Sequence, residues 1–304
     1  MADQTARRSA VVFNPVKVAD DFKDTVSRRL SEAGWSEPMW LETAEDDPGR
    51  SMTATAREAG VDLVLAAGGD GTVRVVADGL AGSKITMAVL PSGTANLLAL
   101  NLGIPNPLDQ ALDVAVAGHT KTIDLIKITV DGDAEDGEHY AVMAGVGVDA
   151  MIMDETRPEL KDKIGSAAYF VAAAKALGRL PIPMQIKVDD HHTHRRRAMI
   201  CLIGNVSQLP GNISLIPDAV PDDGLLDVYV AAPHRITHWF RVFLRLITRR
   251  RHGDDKVDQW RGRRVEVRLK TPDNYQLDGD VVGDMRTLVA EVQPGALTIC
   301  VPSE

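Results

Sequence analysis

The chain has 304 residues, with 44% hydrophobic and 25% charged residues and a net charge of −9. That length is more than one core usually serves, so two domains are expected, and the composition is that of a globular protein rather than a disordered or fibrous one. The acidic balance argues against a general nucleic-acid binder.

Other classes fall away on simple grounds. Two cysteines, Cys201 and Cys300, give no disulfide framework and suit a reducing, cytoplasmic setting. The opening "MADQTARRSA" lacks the apolar core of a signal peptide. No uninterrupted apolar run approaches the roughly 20 residues of a membrane helix, so any membrane contact is expected to be peripheral.

The first part alternates strand and helix. "SAVVF" is a short apolar strand stopped at Asn14-Pro15, and "DDFKDTVSRRLSEAG" has helical periodicity up to Gly34. "PMWLE" reads as a second strand and "GRSMTATAREAG" as a second helix. "VDLVLAAG" and "KITMAVLP" are continuous apolar runs, the pattern of strands buried on both faces, and a helical pattern follows each. The expected packing is a doubly wound, Rossmann-like parallel sheet over residues 1–127.

Beyond about residue 125 the texture changes to strand-like segments parted by turn residues, among them "KTIDLIKITV", "MQIKV", "RRRAMICLIGNV", "GLLDVYVA", "RRVEVRLK" and "LVAEV". Helical interruptions fall near 163–178 and 236–250. Residues 128–304 therefore read as a mostly antiparallel β-sandwich domain. "DGDAEDGE", residues 131–138, is most simply a solvated hairpin loop. "HHTH" fits no metal-ligand spacing, and the adjacent "RRR" suggests an exposed basic loop. In "ITHWFRVFLRLITRRRHG", Arg241, Arg245 and Arg249 form one stripe, with Trp239, Phe240, Phe243, Leu246 and Ile247 around it. That composition suits either an interfacial helix on anionic lipid or a helix packed on the β domain.

One turn asks for a ligand. In "LVLAAGGDGTVRVVADGL", residues 63–80, an apolar run ends in Gly68-Gly69-Asp70-Gly71-Thr72 and a helical pattern follows. Gly68 and Gly69 can take backbone angles closed to other residues and let a ligand approach the main chain. A helix starting near Thr72 would offer free N–H groups and a dipole to an anion. The pattern is neither a Walker A loop nor G-x-G-x-x-G. Asp70 would repel a bare phosphate, so it is better placed to engage magnesium or its waters. A plain strand-to-helix turn is the alternative. "VLPSGTANLL" repeats the design with Gly93, Thr94 and Asn96, and "FNPVK" ends the first strand with Asn14, Pro15 and Lys17. Three such turns would meet at the carboxyl edge of one sheet, where doubly wound folds bind ligands.

"NPVK", "GGDGT" and "SGTAN", in that order and spacing, resemble the diacylglycerol kinase catalytic domain family, bacterial lipid kinases related to sphingosine kinases. "GVGVDA" (145–150), "KIGSAAY" (163–169), "PDDGLLDV" (221–228) and "QLDGD" (276–280) fall where that family has motifs. GGDGT itself is shared with NAD kinases and phosphofructokinases; the later segments point to the lipid branch.

The resemblance implies roles. Gly69 to Arg74, Val73 included, with Asn14, Thr43 and Thr94, would bind ATP. Asp223, with the carbonyls of Val220 and Leu225, would hold a structural magnesium ion, and Asp280 would be the general base. The family usually has glutamate at that last position, and aspartate is one methylene shorter, which changes reach rather than chemistry. "LDGDVV" is equally a hairpin signal, Asp-Gly between alternating apolar residues. The implied activity is transfer of the γ-phosphate of ATP to diacylglycerol or a similar lipid alcohol at an anionic membrane surface, with no nucleic acid involved and a homodimer left open. NAD kinase chemistry and a binding protein that has lost catalysis are the rival readings.

Overall fold

The computed structural model describes residues 7–147, 181–209, 213–214, 216, 219–231, 257–278 and 280–303. The segment "KIGSAAY" and the helical pattern of 236–250 lie outside them. The chain divides into two compact units, residues 1–125 with 294–304, and residues 126–293.

In the first unit, β1 (Ser9–Phe13), α1 (Phe22–Glu32), β2 (Met39–Glu42), α2 (Arg50–Glu58), β3 (Leu63–Gly68), α3 (Asp70–Leu80), β4 (Thr86–Pro91), α4 (Leu97–Asn101) and α5 (Leu108–Ala117) alternate as expected. The sheet is parallel, in the order β4-β3-β1-β2. Every residue of β1 and β3 is buried, as unbroken apolar runs covered by helices on both faces should be. α1 buries Phe22, Val26 and Leu30, four residues apart. α3 begins at Asp70, two residues earlier than expected, with Gly69 as an N-cap that makes no side-chain hydrogen bond.

The second unit contains β5 (Thr120–Val130), which starts in the first, then β6 (Asp133–Tyr140), β7 (Met143–Val146), β8 (Ile182–Val188), β9 (His194–Ala198) and β10 (Ile200–Gly204). β11 (Gln208–Leu209), β12 (Ile213–Ser214), β13 (Leu226–Ala231), β14 (Val257–Gly262), β15 (Arg264–Leu277) and β16 (Asp280–Cys300) follow. The pairings within this unit are antiparallel. The core is aliphatic, with Ile186, Val265, Val267, Leu277 and Leu288 fully buried.

Two loop expectations are corrected. Only Asp131-Gly132 turns the chain, with φ of 51° and 85°, and residues 133–140 are strand β6 rather than solvated loop. The two-residue Asp-Gly turn matches the strand twist, so pairing starts at once with Val130 opposite Asp133. "HRRRA" is strand β9, paired along β8 from Ile182↔Ala198 to Ile186↔His194, in keeping with the strand-like reading of "RRRAMICLIGNV" and against the reading of "RRR" as an exposed loop. The end of β16 returns to the first unit, where Ile299 pairs with Met87 in parallel, Val301 N–H donates to His119 O at 3.0 Å, and Asp124 accepts the Gly295 N–H at 2.8 Å.

Candidate functional site

The three small-residue turns of the first unit converge. They leave the carboxyl ends of β1, β3 and β4, which are neighbours in the sheet, and backbone bonds extend the register past the strands. Asn14 N–H donates to Ala67 O at 2.9 Å, Thr43 N–H to Phe13 O at 2.9 Å, and Ser92 N–H to Gly68 O at 3.0 Å.

The glycines are required by crowding. Gly68, Gly69 and Gly93 are absent from the residues with positive φ, which corrects the expectation of unusual backbone angles. A Cβ on Gly93 would lie 2.6 Å from Gly69 Cα, and one on Gly69 would lie 2.7 Å from Lys17 Nζ. A Cβ on Gly68 would lie 2.6 Å from the Thr72 side chain. The main chains of the two glycine turns therefore touch, and the Lys17 ammonium lies over Gly69 at the start of α3. A cation beside an uncapped helix N-terminus is an anion-binding arrangement.

Asp70 joins these turns. Its Oδ2 accepts the Asn96 N–H at 3.0 Å and its Oδ1 the Leu97 N–H at 2.6 Å, so the carboxylate caps α4 across 26 and 27 residues of chain. Asn96, with φ 47°, accepts the Gly93 N–H on Oδ1 at 2.9 Å, and its amide donates to Gly93 O at 3.0 Å and to Asn106 Oδ1 at 3.3 Å. The remaining expected residues divide by orientation. Pro15, Lys17 and Thr94 are exposed, and Asn14, Gly71 and Arg74 are half-buried. Thr43, Thr72 and Val73 are buried, and the Val73 N–H already closes the first turn of α3 onto Gly69 O at 3.0 Å.

The second unit presents a hairpin in which Leu277 pairs with Asp280. Asp278, with φ 48°, is buried. Its Oδ1 accepts the N–H groups of Met143 at 2.8 Å and Val142 at 3.1 Å, and its own N–H donates to Met143 O at 2.8 Å. Burial, then the Asp278 carboxylate, push the nearby Tyr140 phenol well above its usual range, so it stays protonated and donates to Ile203 O at 3.2 Å. Asp280 is exposed, and Val281 and Val282 after it are 48% and 42% exposed. The Asp280 carboxylate has no hydrogen bond or ion pair among the described residues.

Comparison with known proteins agrees with this division. The model described as diacylglycerol kinase catalytic domain matches residues 8–128, and that described as YegS C-terminal NAD kinase beta sandwich-like domain matches residues 141–301. A diacylglycerol kinase of Mycobacterium tuberculosis is 30% identical over 256 residues, covering 83% of this chain and 81% of that one. The chain belongs to the diacylglycerol kinase catalytic domain family. A diacylglycerol kinase of Bacillus anthracis has a crystal structure that superposes with a TM-score of 0.72 at 21% identity over 98% of both chains. An NAD kinase of Archaeoglobus fulgidus, solved with ATP, gives 0.51 at 13% identity over 96% of this chain and 93% of that one. Those two likenesses concern the fold, and they agree with the expected Rossmann-like domain followed by a β-sandwich.

The magnesium site expected within this family fares differently. Asp223 Oδ1 accepts the Leu225 N–H at 3.0 Å, and Oδ2 is paired with the Arg261 guanidinium, which also reaches Asp227 Oδ1 at 3.0 Å. Val220 is 43% exposed. A guanidinium and a divalent ion at one carboxylate repel each other, so this donor set does not fit magnesium while Arg261 holds its place. Among the described residues, no group of three or more His, Cys, Asp or Glu is placed to share a metal.

Sequence reasoning missed Asp278 and Arg261. Asp278 carried half a signal: an aspartate at the first position of an Asp-Gly turn readily takes positive φ, as it does here at 48°, but the N–H groups it accepts, from Val142 and Met143, lie more than 130 residues away. Asp131 does the same in the first hairpin, accepting the Thr287 N–H at 2.7 Å and the Arg286 N–H at 3.0 Å. Arg261 carried none, lying 38 residues from its partner.

Proposed function

We propose that the protein is an ATP-dependent lipid kinase that transfers the γ-phosphate to the hydroxyl of diacylglycerol or a related lipid alcohol. One observation carries the choice of acceptor: Asp280 is an exposed carboxylate followed by two exposed valines, on a hairpin pinned by Asp278. A polar alcohol with an apolar body needs that pairing of a base with apolar surface. The crowded glycine turns supply the other half, since main chain without side chains, an uncapped helix N-terminus and Lys17 suit a polyphosphate.

In this reading the amides at the start of α3 and the Lys17 ammonium hold the ATP phosphates and take up charge as the β–γ bridge breaks. The lipid oxygen attacks the γ-phosphorus, its proton passes to Asp280, and ADP leaves with the bridging oxygen. Asp70 acts at one remove, fixing the "SGTAN" turn against the glycines. Magnesium is placed only as the ion that accompanies ATP. The names of the relatives, diacylglycerol kinase among them, support the same acceptor class.

The test is transfer from labelled ATP to a panel of diacylglycerol, sphingosine, other lipid alcohols and NAD. Label in a lipid alcohol is the expected result. Label in NAD alone would overturn the acceptor, and no transfer to any of them would leave a nucleotide- or lipid-binding protein without catalysis.

A further inference from the structure

Among the described residues, a cluster of positive charge lies on the outer face of β9, β8 and β15. Residues opposite one another across an antiparallel ladder share a face. Arg195 is opposite Gln185, which is opposite Arg268, and Arg197 is opposite Pro183. Lys270, two residues beyond Arg268, is exposed with Arg195 and Arg197. Together these residues line a shallow basin of about 390 Å³, and no carboxylate lines it. The reverse face of β8 carries Met184, Ile186 and Val188 into the core, so the outward direction of the basic residues is fixed by burial.

Their charges are not neutralised equally. Arg196 points the other way and forms a two-pronged pair with Asp258, at 2.5 and 3.2 Å. Arg268 is paired with Glu266 at 2.9 Å. Arg195, Arg197 and Lys270 have no ion pair among the described residues. Three uncompensated cations on one sheet face contrast with 43 acidic against 34 basic residues in the chain as a whole. They are spread over roughly 7 Å along a strand and 10 Å across two strand spacings. At physiological salt only charges within about 8 Å act strongly on a contacting surface, so the local patch outweighs the global charge there.

We infer that this face docks on the anionic surface of a membrane. The choice of lipid over other polyanions rests on the lipid-kinase reading, and on the form of the patch. It is a broad strand face without an aromatic side chain for base stacking, because Trp260 lies on the other side, against His194 and Arg196. Cations held near an anionic leaflet each strengthen binding by a few-fold.

The test uses the full chain and the variant Arg195→Gln, Arg197→Gln, Lys270→Gln, whose side chains are exposed and have no ion pair among the described residues. Sedimentation with phosphatidylcholine vesicles, with and without phosphatidylglycerol, reads the contact directly and needs no turnover. The wild type should bind only the anionic vesicles, less so as salt rises, and the variant should bind them about 10²-fold more weakly. Its turnover of a monomeric short-chain lipid alcohol should match wild type, so a failed kinase reading shows in that assay and a failed docking surface shows in the vesicles. Equal vesicle binding by the two proteins would overturn the inference. So would vesicle binding indifferent to lipid charge, or an oligonucleotide bound through these same three residues in place of vesicles.

Discussion

The glycine turns of the first unit and the Asp278–Asp280 hairpin of the second solve one problem in two ways. Each must hold an irregular stretch of backbone still beside a place where chemistry is proposed, and each does so with an aspartate that accepts main-chain N–H groups. In the turns, both oxygens of Asp70 are taken up in that task. In the hairpin the work is divided: Asp278 is the buried tie, and Asp280, two residues on, stays exposed. An acidic residue in a motif is thus structural or reactive according to whether backbone donors meet it. The motif letters alone do not say which.

The sharpest test of that division is Asp280→Asn, which keeps the shape and the turn but removes the base. A positioned carboxylate contributes typically about 10²–10⁴-fold to such a step, so kcat should fall by about that factor. The melting temperature and ATP affinity should not move, because the side chain is exposed and has no partner among the described residues. A parallel loss of stability would break the comparison by making Asp280 a second tie. An unchanged kcat would place the base elsewhere.

The two ties should show the opposite pattern. Asp278→Ala leaves the Val142 and Met143 N–H groups without their acceptor and puts alanine at φ 48°, at a cost of about 2–4 kcal/mol. Asp70→Asn keeps one carbonyl oxygen for the N–H donors at the start of α4, so its cost should be smaller, about 1–2 kcal/mol. Thermal unfolding of both variants reads these differences. A variant of Asp70 with full stability and no activity would return it to the role of a magnesium ligand, first expected from its place in the motif.

Most of the first unit was legible because its signals are local. Buried parallel strands are unbroken apolar runs, the helices keep a 3.6 period, and the punctuating glycines stand where helices stop. The carboxyl-edge position of Asn14, Gly69 and Gly93 followed from strand order. Their crowding did not, since an approach so close that a Cβ on Gly93 would lie 2.6 Å from Gly69 Cα is a property of the folded pair. In the second unit the strands were legible, but the partners of the acids were not. Asp278 meets residues more than 130 positions away and Asp223 meets one 38 away, and no spacing rule reaches that far. The acidic stretch 131–138 misled for a related reason: its composition suits a loop, yet pairing with β5 makes most of it a strand.

The smallest expected effect concerns Asp223, where the expected magnesium and the observed Arg261 exclude each other. A bound ion present at a hundredfold excess over its Kd would stabilise the fold by about 2.7 kcal/mol, and a chelator would remove that. In a domain of this size such a loss lowers the melting temperature by roughly 5–10 °C. With Arg261 already on the carboxylate, a chelator should change the melting temperature by no more than about 1 °C. Arg261→Ala should lower it slightly more, because the side chain is 41% exposed and its pair with Asp223 is screened by solvent, while its contact to the buried Asp227 counts for more. That puts the variant about 1 kcal/mol below wild type. A large chelator effect on wild type would show that the guanidinium gives way to a metal. If the chelator left both wild type and Arg261→Ala unaffected, no metal would be held at the Asp223 turn, and the loss on Arg261→Ala would measure the guanidinium alone.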